Sequence, residues 1–144
     1  SSPELTFDAI HQMPKPLQPG GIPIWTSGTV NKRVARRLSS FGTRWIPWGS
    51  AIANLEESIP AMKQAIADVG GDPSDLEVQG TAVLVKAADG SLDVDATVAP
   101  VQKQVAAGAT DIRFGGSLLK DPHQAAAQLP RLVGAFRDIT HSGV

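Results

Sequence analysis

Four times along this chain a short run of β-branched and aromatic residues gives way to a stretch with helical spacing, and that alternation restricts the fold more than any other feature. Parallel strands cannot be joined by tight hairpins, so each strand–helix pair reads as part of a right-handed crossover, and the order implies an α/β protein with a parallel sheet. Residues 22–26, "IPIWT", form the first strand, with Pro23 near its start, where a missing N–H is tolerated. Asn31 then caps a helix. Val30, Val34, Leu38 and Phe41 recur along it at near-helical spacing, Lys32, Arg33, Arg36 and Arg37 take the other side, and Gly42 closes it as a left-handed cap.

The second strand, "TRWIP" at 43–47, runs into the turn Trp48-Gly49-Ser50. A long helical stretch to Val69 follows, bent around Ser58-Ile59-Pro60 and closed by Gly70-Gly71. "LEVQGTAVLVK" at 76–86 is the third strand, with Gly80 as a bulge or a point of close approach. "AADGSLDVDA" reads as a loop and 98–107 as a helix with Pro100 in its early part. "TDIRF" at 110–114 is the fourth strand, broken by Gly115-Gly116. Asp121-Pro122 opens a last helix that carries Ala125, Leu129, Leu132, Val133 and Phe136. Ahead of all this, Pro3, Pro14, Pro16 and Pro19-Gly20-Gly21 make residues 1–21 an extended arm. The organisation is an arm at 1–21 and one strand–helix domain at 22–144. Four such units form a small open sheet or half of an eight-stranded barrel.

A chain of 144 residues builds one sizeable core. Its formal net charge of -1 offers no electrostatic footprint for nucleic acid. The absence of cysteine excludes disulfide and thiolate chemistry and fits a reducing compartment, hence a cytoplasmic location. No apolar run approaches the roughly 18 residues of a membrane span, and "SSPELTF" lacks the regions of a signal peptide. His11, His123 and His141 are scattered, and the run Asp89, Ser91, Asp93, Asp95 lacks the central Gly and closing Glu of a calcium loop, so no metal site is expected.

The chemistry concentrates where the first strand meets its helix. Gly permits close approach of backbone to a ligand, Ser and Thr hydroxyls donate to oxygen, and a helix N-terminus favours negative charge. Ser27, Gly28, Thr29 and Val30 therefore form a candidate anion cradle, although an ordinary capped strand–helix turn has the same look. Gly115-Gly116-Ser117 repeats the motif more weakly and reads as a simple Gly turn. Trp25 and Trp45 read as core. Trp48, past Pro47 at a strand's C-terminal end, is the candidate for a substrate pocket.

Residues 7–49, "FDAIHQMPKPLQPGGIPIWTSGTVNKRVARRLSSFGTRWIPWG", carry a Pro-Lys-Pro arm, a strand ending in a small-Gly turn, an Arg-rich helix, Phe-Gly and a Trp-Ile-Pro strand. In this order they resemble the luciferase-like monooxygenases, flavin- or deazaflavin-dependent oxidoreductases built on a (β/α)8 TIM barrel. Beyond residue 49 the resemblance is one of element order only. It implies that the chain corresponds to the C-terminal four strand–helix units, half of the barrel. It also implies that the phosphate turn after the fifth strand falls on Ser27, Gly28, Thr29 and Val30. The implied activity of a complete barrel is hydride transfer between the deazaflavin coenzyme F-420 and a small organic substrate, with an FMN-dependent monooxygenase as the alternative. Much of the ring pocket belongs to the other half, so the isolated chain is expected to be inactive. Its two open sheet edges call for the missing N-terminal half-barrel or for a second copy in a homodimer. Two rival readings stand beside this one. A phosphosugar-binding barrel enzyme requires an acid–base residue at a strand's C-terminal end, where the sequence offers Ser27, Trp48 and Gly115. The other rival is a non-catalytic half-barrel.

Overall fold

The structure is a computed structural model that describes Asp8 and residues 17–19, 21–115 and 121–141. Its elements follow in order: β1 (Trp25–Gly28), α1 (Lys32–Phe41), β2 (Arg44–Pro47), α2 (Ser50–Ala53), α3 (Leu55–Asp68), β3 (Glu77–Val83), β4 (Val85–Lys86), β5 (Leu92–Asp93), α4 (Val94–Ala106), β6 (Asp111–Gly115) and α5 (Pro122–His141). Four strands form one parallel sheet in the order β1-β2-β3-β6, while β4 and β5 make a small antiparallel pair. The α/β class and the four parallel strands agree with the sequence pattern. The arm at 1–21 lies mostly outside the described residues.

Several boundaries differ, each for a local reason. β1 starts at Trp25 and includes Ser27 and Gly28, which stand opposite Ile46 and Pro47 in the ladder; residues 22–24 precede it unpaired, and Ile22 and Ile24 are exposed. Gly42 has φ 146 and ψ 165, a positive φ with an extended ψ instead of a left-handed helical cap, and Phe41 beside it is exposed. The long helix breaks at Asn54 (φ -140, ψ 80), between α2 and α3, and not at Pro60, which lies within α3 next to the buried Ile59. The stretch 87–96 is not a plain loop. Asp89 accepts from the Ser91 N–H (2.9 Å) and hydroxyl (2.6 Å) at the β4–β5 hairpin, and Asp93 caps α4 by accepting from the Ala96 N–H at 2.9 Å. The helix therefore begins at Val94, and Pro100 falls in its interior.

Because the strands run in sequential order and crossovers are right-handed, the helices stack on one face of the sheet. The register agrees: Thr26, Trp45 and Val78 stand side by side and are buried, and Gly80 and Ala82 continue the row toward Ile112 and Phe114. Val34, Leu38, Ile59, Met62 and Ile66 from α1 and α3 pack onto Trp45 and Val78. A second cluster joins Val98 of α4 and Leu132 of α5 to Phe114 and Leu84. In α5 Leu132 alone of the anticipated apolar stripe is fully buried, with Leu129 and Val133 exposed. Burial of each large side chain contributes about 1.5–3 kcal/mol.

The two clusters meet at a defect with a chemical cause. In a parallel ladder, alternate residues of β3 exchange hydrogen bonds with β2, and Glu77 donates to the Thr43 carbonyl at 2.8 Å. The rung at Gln79 requires an N–H at Pro47, which has none, and the pairing ends at Trp45↔Val78. Gln104 of α4 fills the gap. Its Oε1 accepts from the Thr81 N–H at 2.9 Å and its Nε2 donates to the Thr81 carbonyl at 2.8 Å. Gly80 makes this possible, since a Cβ there would stand 2.5 Å from Gln104 Oε1 and 2.6 Å from Ile112 Cδ1. Gly80 is thus a point of close approach within a regular ladder. A cavity of about 270 Å³ remains at the seam, lined in part by Asn54, Glu56, Thr81, Lys103 and Gln104. No helix of the described residues is long and apolar enough to cross a membrane.

Candidate functional site at the ends of the first two strands

The end of β1 is tied to β2 by one oxygen. The Gly28 carbonyl accepts the Trp48 backbone N–H at 3.2 Å and the Trp45 indole N–H at 3.0 Å. Trp45 is fully buried, so this bond satisfies a polar atom that is costly to leave unpaired while fixing where β1 stops. Beyond it, Asn31 organises the turn. Its backbone is extended (φ -166, ψ 162), its Oδ1 accepts from the Val34 N–H at 3.0 Å, and its Nδ2 donates to the Thr29 carbonyl (3.0 Å) and hydroxyl (3.2 Å). Such a cap is worth about 1 kcal/mol.

The cap uses the N–H of Val34 and leaves those of Lys32 and Arg33 directed outward, with no acceptor among the described residues. No acidic residue stands in the first turn of α1, whereas α3 has Glu56 and Glu57 there and α4 has Asp95. Lys32 and Arg33 are exposed, so both the helix dipole and two full charges favour an anion at this end.

The four cradle residues are adjacent but differ in what they present. Ser27 lies within β1 and is exposed on the sheet face opposite the helices. Gly28 belongs to the ladder, and the space where its Cβ would sit is occupied by Val34 Cγ2 at 2.6 Å. Glycine at 28 is therefore required by the packing of α1 on β1. Thr29 is exposed at the tip of the turn, and Val30 is half-buried against the core. Trp48 joins them: its side chain is exposed, its backbone N–H holds Gly28, and at Gly49 (φ 59) a Cβ would stand 3.7 Å from Thr29 Cγ2, so the two turns lie close together. Gly28, Thr29 and Trp48, about twenty residues apart in sequence, thus share one end of the sheet. Trp25 is not core. It is half-buried on the open face, with the Arg44 guanidinium 5.6 Å from its ring centroid.

That open face is the part of the site the sequence pattern concealed. Arg44 and Glu77 form a forked pair there, Nε to Oε2 at 2.8 Å and Nη2 to Oε1 at 3.0 Å, and Gln79, Thr81, Asp111 and Arg113 continue the same face. The signal was the alternation of polar residues in "EVQGT" and "DIR", which marks a face that meets neither helix nor apolar core. Gly115 closes β6, while Gly116 and Ser117 of the second Gly turn lie outside the described residues. Among the described residues no three His, Cys, Asp or Glu side chains come together as metal ligands would.

No family model and no curated protein matches this chain. Among solved structures, an F-420-dependent secondary alcohol dehydrogenase in complex with an F-420–acetone adduct aligns with it at 15% sequence identity and a TM-score of 0.35. The alignment covers 79% of this chain and 40% of that one, so the chain spans less than half of that structure's length.

Proposed function

We propose that the chain is the C-terminal half of a (β/α)8 oxidoreductase of the luciferase-like kind and that the turn after β1 receives the phosphate of coenzyme F-420. The observation that carries the reading is the open N-terminus of α1. It has outward N–H groups, no first-turn carboxylate and two flanking cations, and it follows the strand end that the backbone N–H of the exposed Trp48 holds through Gly28. These residues fit a phosphate: Thr29 and the N–H groups of Lys32 and Arg33 would hold its oxygens, and Lys32 and Arg33 would balance its charge. Trp48 offers an apolar surface to the remainder of the cofactor or to a small organic substrate. Bound there, the deazaflavin would supply hydride transfer. The chain's own part is to anchor and orient it.

FMN carries the same phosphate chemistry and would use the same turn in a monooxygenase. Calorimetric titration with F-420, FMN and inorganic phosphate tests the reading. Thr29 is exposed, so Thr29→Glu leaves the core intact and sets a carboxylate in the anion's place. It should weaken F-420 at least about tenfold, the effect of roughly 1.4 kcal/mol. Equal affinity in the two proteins would eliminate the turn as the phosphate site.

A further inference from the structure

The β1 and β6 edges and one whole face of the sheet lack cover among the described residues. The ladder shows which groups this strands. Gly28 accepts from β2, so Trp25 and Ser27 direct their N–H and C=O groups away from the sheet; Thr110 donates to Val78 of β3 at 2.9 Å, so Asp111 and Arg113 do the same at the far edge. Side chains of these four residues stand on the open face, with Arg44 and Glu77 between them.

We propose that two copies of this chain close into a single eight-stranded parallel barrel about a two-fold axis, β1 of each copy pairing with β6 of the other. The proposal rests on the half-barrel reading and adds the identity of the cover. Charge supports it. Each open face carries Arg44 and Arg113 against Glu77 and Asp111, so two faces enclosed together bring no net charge inside. The edges are also chemically matched. Within the chain, Trp25 of β1 already takes the guanidinium of the neighbouring strand, Arg44, beside its ring, and no strand flanks β1 on its other side among the described residues. Arg113 on β6 has no partner among the described residues, and closure would bring it beside the partner's β1, where a second guanidinium meets Trp25. An antiparallel β6–β6 contact would relieve one edge per copy and leave both faces bare. Barrel closure relieves both edges and covers both faces, and an isologous contact of this kind terminates.

Sedimentation equilibrium of the 144-residue chain at micromolar concentration should return twice the chain mass. Ser27→Pro removes an N–H that points away from β2, so no bond within the copy is lost; it should give a monomer with an unchanged circular dichroism spectrum, or a dimer at least tenfold weaker. The chain has no cysteine, which makes crosslinking clean. Ser27→Cys with Arg113→Cys should form a reducible covalent dimer. Crosslinking by Arg113→Cys alone would indicate the antiparallel contact and overturn the proposal, as would a folded wild-type monomer or a dimer indifferent to Ser27→Pro. A monomer that still binds F-420 defeats the pairing and leaves the cofactor reading intact; a dimer that ignores F-420 does the reverse.

Discussion

At Gly28 the same residue type admits two explanations, and only the fold separates them. Glycine before a helix suggests room for an anion, but the room is taken by Val34 Cγ2, 2.6 Å from where a Cβ would be. A branched side chain at 28 thus disturbs the α1–β1 contact before it reaches any ligand, and it is a poor probe of the turn. Gly28→Ala should destabilise the fold by about 1–3 kcal/mol through overpacking, measured by urea unfolding. Adding Val34→Ala should recover part of that loss, and additive costs would show that the clash is not the cause. Asp89 gives a residue-scale test of pH. The Ser91 hydroxyl and then the Ser91 N–H stabilise its carboxylate and hold its pKa below the ordinary value. A depressed pKa adds stability that is fully present above the unfolded value, near 3.9, and is lost as pH falls through the folded value. Carboxyl carbon shifts should place the Asp89 midpoint below that of a free aspartate, and Asp89→Asn should remove its share of the acid-side loss of stability.

At the scale of elements, periodicity and caps told most of the story, and long-range bonding told the rest. Asn31, Val34 and Leu38 are legible as a capped, one-sided helix because cap and stripe act over one or two turns. The end of the β2–β3 ladder is different. Pro47 announces a missing donor, but which group replaces it depends on α4 folding back so that Gln104 reaches Thr81 across more than twenty residues. The start of α4 is hidden for a different, local reason: Asp89, Asp93 and Asp95 follow at short spacing, and only the fold singles out Asp93, whose carboxylate accepts from the Ala96 N–H, as the cap. Gln104→Ala removes both partners of the Thr81 peptide and widens the seam. The expected cost is about 1–3 kcal/mol in urea unfolding, with faster hydrogen exchange at the Thr81 amide than at the Gly80 amide. Equal exchange at the two would mean that Gln104 does not hold β3.

At the scale of the whole molecule the strand ends decide what the chain can do unaided. A parallel sheet presents its chemistry at the C-terminal ends of its strands, here Gly28, Pro47, Val83 and Gly115, followed by Thr29, Trp48 and Leu84. None of these seven residues carries a carboxylate, imidazole or amine, so at these described strand ends no side chain is placed for the general acid–base contribution, typically 10²–10⁴-fold in rate. In the proposed reading the α1 N-terminus and the exposed Trp48 would bind and orient without moving a proton. The chain alone is therefore expected to bind F-420 or FMN through the phosphate yet give no hydride transfer with a secondary alcohol or an oxidised acceptor above the rate of the free cofactor, followed by deazaflavin or flavin absorbance. The result should hold for the two-copy barrel as well, because a second copy repeats the same strand ends and adds no new acid or base to the rim. Turnover well above the free-cofactor rate by the 144-residue chain would place the reactive groups on the open face instead, with Glu77, Asp111 and Arg113 as the first to examine.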